Sequence, residues 1–205
     1  MMEYDAEPIR GLPGRLPPGE TILWQGGPDW RLFARSAFHL PLIGTYFAAL
    51  GAAGLLSGST TGALLTFGAG AFCLALLAFL AWAIASSTVY TLTNRRIVLR
   101  YGIAFTKCVN LPLQLVGAAD LRPHGSGRGD VVLRMTGSVP LSWLLLWPHV
   151  RPWRMKVPEP MLRALPDADA FSASLARAVS EHASVASPSV QSPPPAGSFA
   201  GGAVA

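Results

Sequence analysis

From Ser36 to Asn94 the sequence has no lysine, arginine, aspartate or glutamate, although charged residues make up 13% of the chain. That absence suits a hydrocarbon environment and not a solvated one. Charge elsewhere is thinly spread: the net +5 forms no polybasic tract and no basic stripe with aromatics between, which argues against nucleic acid as a partner. Cysteine is nearly missing. Cys73 lies inside the uncharged stretch and Cys108 beyond it, so no disulfide is expected. There is no CxxC, HExxH or Cys/His cluster to build a structural metal site. No nucleophile is paired with a base. The run Gly125-Ser-Gly-Arg-Gly129 lacks the Lys-Ser/Thr of a phosphate loop and the helix of a dinucleotide fold. It reads as a hairpin turn, and the chain is expected not to be an enzyme. No signal peptide is expected either: Glu3, Asp5 and Glu7 come first, and the apolar run starts some 36 residues in.

What the uncharged stretch does hold is two apolar segments, at 37–57 and 63–86, joined by Gly58-Ser-Thr-Thr-Gly62. At ~1.5 Å per residue each is long enough for a hydrocarbon core of ~30 Å. The expectation is an antiparallel transmembrane hairpin. Arg10, Arg15, Arg31 and Arg35 precede it, Arg95, Arg96, Arg100 and Lys107 follow it, and the connecting loop is uncharged. By the positive-inside rule both termini are then cytoplasmic, in a multi-pass protein of the inner membrane. Gly44, Ala48, Gly51, Gly54, Gly68 and Gly70 give the helices small-residue faces. These faces pack on each other, or dock on a transmembrane helix of another chain or of a second copy.

The chain therefore divides into four parts. Residues 1–28 are a Pro/Gly-rich arm, too broken for a long helix or strand yet too apolar for a linker. Residues 29–86 are an interfacial entry and the hairpin, with Asp29 as a helix cap and Pro41 as a kink near the start of the first helix. In residues 87–183, short alternating runs at 87–93, 96–101, 105–111, 115–121 and 130–136 are bounded by turn residues. They predict a small antiparallel sheet or barrel. An amphipathic helix from Asp167 to Ala183, with Phe171, Leu175, Ala178 and Val179 in one stripe, should cover its open side. Residues 184–205 are Ser, Pro, Ala and Gly, and are expected to be disordered. The fold class is α+β. The run at 141–147 is apolar but short; it fits a last strand, a loop among headgroups or a docking patch, with a third membrane span as a further reading.

Two resemblances follow from particular residues. Tyr90-Thr-Leu-Thr-Asn-Arg-Arg-Ile97 is similar to the strand-turn-strand signature of bacterial membrane-attached pleckstrin-homology-like (PH-like) domains. That resemblance implies a curved antiparallel sheet closed by a C-terminal helix, preceded by a membrane hairpin. Glu3–Pro17, Gly19–Gly26, Pro28-Asp-Trp30, Ala37-Phe-His39, Tyr90–Gly102, Leu144–Trp153 and Pro160–Pro166 together resemble the PuhB family. These are photosynthetic reaction-centre assembly proteins of purple bacteria. The resemblance implies a non-enzymatic assembly factor for the reaction centre and its core light-harvesting antenna. Its direct partner would be the single-span subunit with a large cytoplasmic domain. Trp24, Trp30, Trp147, His149, Arg151, Trp153 and Arg154 are then the candidate partner contacts, being mostly of the types that anchor interfaces. The alternative is a lipid- or pigment-handling module. In it Arg95, Arg96, Arg100 and Lys107 would hold anionic headgroups, and His39 at the bilayer entry would ligate bacteriochlorophyll.

Overall fold

The computed structural model describes residues 10–12, 14–137 and 142–186. The first nine residues of the arm, part of the short apolar run, and the tail from 187 onward lie outside the described residues, and with them most of the expected disordered segment.

The uncharged stretch forms helices, but with a break. A short helix α1 (Trp30–Ser36) is followed by α2 (Leu40–Leu56) and α3 (Thr60–Ser87). Asp29 caps α1 as expected: its carboxylate accepts from the N–H groups of Arg31 and Leu32 at 2.8 and 3.3 Å. Pro41 does not kink a helix already under way. It sits in the first turn of α2, where a missing N–H leaves no bond unmade, and the bend falls just before it, at His39 with φ of +52°. The bend between α1 and α2 is 59°. Only α3 is by itself long and apolar enough to cross a membrane; α1 and α2 meet that standard only as a bent pair. The 17 residues of α2 span about 26 Å. Only 11% of the most apolar stretch of α3 is buried, so little among the described residues covers it.

The small-residue faces meet inside the helix pair. A Cβ at Gly51 would lie 2.5 Å from the ring of Phe67, one at Gly70 would lie 2.7 Å from Phe47 Cβ, and Gly54 abuts Ala63. Each glycine is thus the socket for a phenyl ring or a backbone on the other helix.

One residue after α3 the chain enters β2 (Val89–Thr93), which continues through a tight turn into β3 (Arg96–Tyr101) and then β4 (Lys107–Pro112). Part of the arm adds β1 (Ile22–Gly26) to the other edge, giving an antiparallel sheet in the order β1-β2-β3-β4. A second antiparallel sheet holds β5 (Val116–Gly125), β6 (Arg128–Met135) and β7 (Met161–Leu165). Between β6 and β7 the described part of the run that allowed a third span holds α4 (Trp143–Leu146), four residues long and far short of a membrane span.

The two sheets enclose one core, with Tyr90, Leu92, Ile97, Leu99, Leu111, Leu133 and Leu162 at its centre. The last helix, α5 (Ala168–Ala186), runs three residues past the expected end and closes the open side with Phe171, Leu175 and Ala178. All five residues of β2 are buried, although alternate ones face outward. The arm explains this. Gln25 Nε2 donates to Thr91 Oγ1 (2.9 Å), Thr93 donates to Glu20 (2.8 Å), and Leu12 is buried nearby. Glu20 also takes two bonds from Arg96, at 2.9 and 3.0 Å. The chain is α+β, with antiparallel sheets and a closing helix.

Candidate functional site

The helices and sheets are not loosely tethered. Phe33 and Ala34 of α1, Ala81 and Ile84 of α3 and Ala164 of β7 form a second core cluster. The Asp29 N–H donates to the Ala164 carbonyl at 2.8 Å, and the Ala164 N–H donates to Asp130 Oδ1 at 2.7 Å. Ala164 has φ of +54°, so this double tie holds an alanine in a backbone region it rarely adopts.

Behind this joint lies a sealed polar group. His149 is 0% exposed, with Nδ1 on Tyr90 Oη at 2.8 Å and Nε2 facing Thr88 Oγ1 at 3.3 Å. The rings of Phe33, Tyr90 and Tyr101 surround it. Tyr90 Oη also accepts from the Arg163 N–H at 3.2 Å. Burial, with a smaller push from Arg163, holds the imidazole neutral by lowering its pKa to about 3. Burial raises the Tyr90 phenol strongly and pushes the Tyr101 phenol up to about 12. These groups tie β2, β3 and the 147–150 segment together, and none of the three is placed to meet a substrate.

Over the joint opens a cavity of about 360 Å³. Its walls are Phe38 and His39 at the α1–α2 break, Trp143 of α4, Trp147, Trp153 and Met155 from the segment after α4, and Arg163. Trp147 is 50% exposed and Trp153 is 90% exposed. The Arg163 guanidinium donates to the Val150 carbonyl at 3.1 Å, while its buried Nε has no partner among the described residues. Burial lowers the Arg163 pKa, against a smaller opposing pull from Asp130. Arg151 and Arg154 lie beside the cavity, both paired to Glu159 at 2.8 and 3.3 Å. One carboxylate thus holds both arginines in place and offsets one of their two charges.

The expected partner contacts separate accordingly. Trp147 and Trp153 line one groove, and exposed His39 joins them there, whereas Arg151 and Arg154 are held on Glu159 and do not line it. His149 is corrected: it belongs to the core beneath the patch and presents no surface. Trp24 is corrected too, since it packs edge-on to Phe171 at 4.8 Å and bonds Asp167, which fixes the arm to the chain's own sheet. Trp30 lies apart, beside Trp82, with Arg31 over its ring.

The four expected headgroup cations do not form a cluster. Val89 pairs with Arg100 at the helix end of β2 and β3, whereas Arg95 lies in the turn at the other end, about 16 Å away by strand rise. Arg96 is engaged with Glu20, and Arg100 is buried. Of the four, only Lys107 is exposed at the helix end. What the sequence reading overlooked is Arg163, a lone cation in a five-residue apolar strand. That mismatch was the available signal. Among the described residues no group of three or more His, Cys, Asp or Glu side chains is placed to hold a metal ion.

A family model described as "Bacterial PH domain" matches residues 38–179, which takes in α2, α3 and the strands from β2 to β7. The chain is also 34% identical, over 95% of its own length and 95% of the relative's, to a Rhodobacter capsulatus protein. That relative carries the name "Uncharacterized 23.7 kDa protein in puhA 5′region". No solved structure matches significantly. The match covers α2, α3, six of the seven described strands and most of α5, and the chain belongs to the bacterial PH domain family.

Proposed function

We infer that this chain is a membrane-anchored, non-enzymatic assembly factor for the photosynthetic reaction centre and its core antenna. The observation that carries the reading is the groove: exposed Trp147 and Trp153 stand where the helix pair leaves the sheets. Large aromatic side chains exposed over an apolar cavity are typical binding anchors. The groove opens beside the start of α2, a position suited to a subunit that is itself entering the bilayer. The helix pair serves as the anchor, and the arginines flanking it favour both termini on the cytoplasmic side. The name of the Rhodobacter capsulatus relative, set beside puhA in a reaction-centre gene region, supports the photosynthetic context. The partner proposed is the single-span reaction-centre subunit with a cytoplasmic domain. A non-catalytic role agrees with the sealing of His149 and Tyr90, which are hydrogen-bonded to each other and 0% exposed.

The test is the near-infrared absorption of membranes from a strain lacking the chain. Loss of reaction-centre and core-antenna bands with pigment synthesis intact is expected. Re-expressed Trp147→Ala/Trp153→Ala should reach wild-type levels in the membrane yet restore only a minor part of those bands. Full restoration would remove the groove from the mechanism, and an unchanged deletion spectrum would remove the assembly role.

A further inference from the structure

A second cleft, of about 450 Å³, lies at the α1–α2 break and is lined by Leu32, Arg35, Ser36, Pro41 and the β5–β6 hairpin from His124 to Arg128. Its chemistry is cationic. Arg35 comes from the last turn of α1 and Arg128 from the first position after the hairpin tip, and both are exposed. Neither guanidinium makes a salt bridge or side-chain hydrogen bond among the described residues, unlike Arg96, Arg134, Arg151 and Arg154, each of which holds a carboxylate. No carboxylate lines the cleft. Asp130 is occupied by His124 at 3.0 Å and by the Ala164 N–H; the Asp169 carboxylate stands by the hairpin tip, 3.4 Å from where a Cβ on Gly127 would lie, but does not line the cleft. Ser36 Oγ is buried there with no hydrogen-bond partner among the described residues.

Position adds to this. Pro41, in the first turn of α2, forms one wall, so the cleft lies where the apolar helices begin. The strand register puts the β3–β4 turn at the same end of the domain, and there Phe105 is 83% exposed and Ile103 is exposed as well. Apolar tips beside unpaired cations match the boundary between acyl chains and headgroups.

We propose that this cleft binds a phosphate group, with Arg35 and Arg128 as its two cationic holders and Ser36 as a neutral donor. Paired guanidinium groups suit phosphate oxygens better than a point charge does. An anionic phospholipid headgroup is the source at hand, and free phosphate shares the chemistry. The inference rests on the membrane-anchor part of the function above and not on the reaction-centre partner. Recovery of the chain from membranes only with detergent checks that anchor separately.

The experiment uses the full chain purified in a neutral detergent, melted by tryptophan fluorescence at constant ionic strength. The additions are phosphatidylglycerol, phosphatidylcholine or sodium phosphate. Phosphatidylglycerol should raise Tm by about 3 °C, and phosphatidylcholine should not. Arg35→Gln/Arg128→Gln should abolish the shift, while Arg95→Gln/Lys107→Gln should keep it. A shift with phosphatidylglycerol alone identifies the lipid as the source; a shift with sodium phosphate as well identifies the phosphate group as sufficient. No shift with either, or equal shifts in both double variants, overturns the proposal. Arg128→Gln alone, at an exposed hairpin position, carries the same test should the double variant not fold.

Discussion

His149 holds the domain closed through two ring nitrogens and three neighbouring aromatic rings, and it does so only while neutral. Its pKa is about 3 in the folded chain against about 6.5 unfolded, so between those values the unfolded state binds the extra proton. Stability is therefore full above pH 6.5 and falls as pH drops toward 3. Over the window from pH 6.5 to 5 the expected loss is about 2 kcal/mol. A series of melts across that window should show it, and His149→Gln should flatten it; an unchanged slope would mean that His149 is not buried neutral. Glu20 is a second residue with a defined load, accepting from Arg96 and Thr93 while almost fully buried. Glu20→Ala should lower unfolding stability by about 1–2 kcal/mol in denaturant titration, because the charge-assisted bonds from Arg96 are lost, whereas Thr93 keeps the Arg96 carbonyl at 3.0 Å as an acceptor. Neither role was legible locally. The run Trp-Pro-His-Val-Arg-Pro-Trp looks like a surface patch, and its outer members are one. The partner that draws His149 inward is Tyr90, 59 residues earlier.

Among the elements, the helix pair was the most legible, because missing charge and abundant glycine are visible without any tertiary information. Its packing gives a direct test. At Gly70 an added side chain meets Phe47 at its Cβ, which cannot swing away as a ring tip can. Gly70→Val should splay α2 from α3 at a cost of about 1–3 kcal/mol, read as a drop in Tm in detergent. The strands β2 to β6 were legible from alternation and turn residues, and α5 from its apolar stripe. The strand β7 was not. It is five residues long between two prolines, carries Arg163 at its centre, and bends through Ala164 at positive φ. Each of those features lowers a strand score, and each is explained only by neighbours: Asp130 and Asp29 for the bend, Val150 for the arginine. The arm was legible as packed and apolar. That β1 completes a sheet edge was not, since a strand that exists only by pairing with β2 has little signal of its own.

At the scale of the whole molecule, the two clefts and the exposed β3–β4 turn lie at the helix end of the domain, while Arg95 and Arg96 lie at the other. A natural probe of its placement is Cys108, exposed at the helix end of β4. With the proposed orientation, a membrane-impermeant maleimide should label Cys108 in inside-out vesicles and leave it unlabelled in intact cells. Labelling of intact cells would reverse the orientation.

Thr88 is the only residue between α3 and β2, and Ala164 binds α1 to the sheet from the other side. Such a molecule behaves as a fixed-height gauge. With the helix pair as the proposed membrane anchor, its groove would stand at one set distance from the bilayer and turn with the tilt of α3, so a thinner or thicker membrane would re-aim the tryptophans and need not unfold anything. A partner reaching the groove would be read by how deeply it sits as well as by its surface.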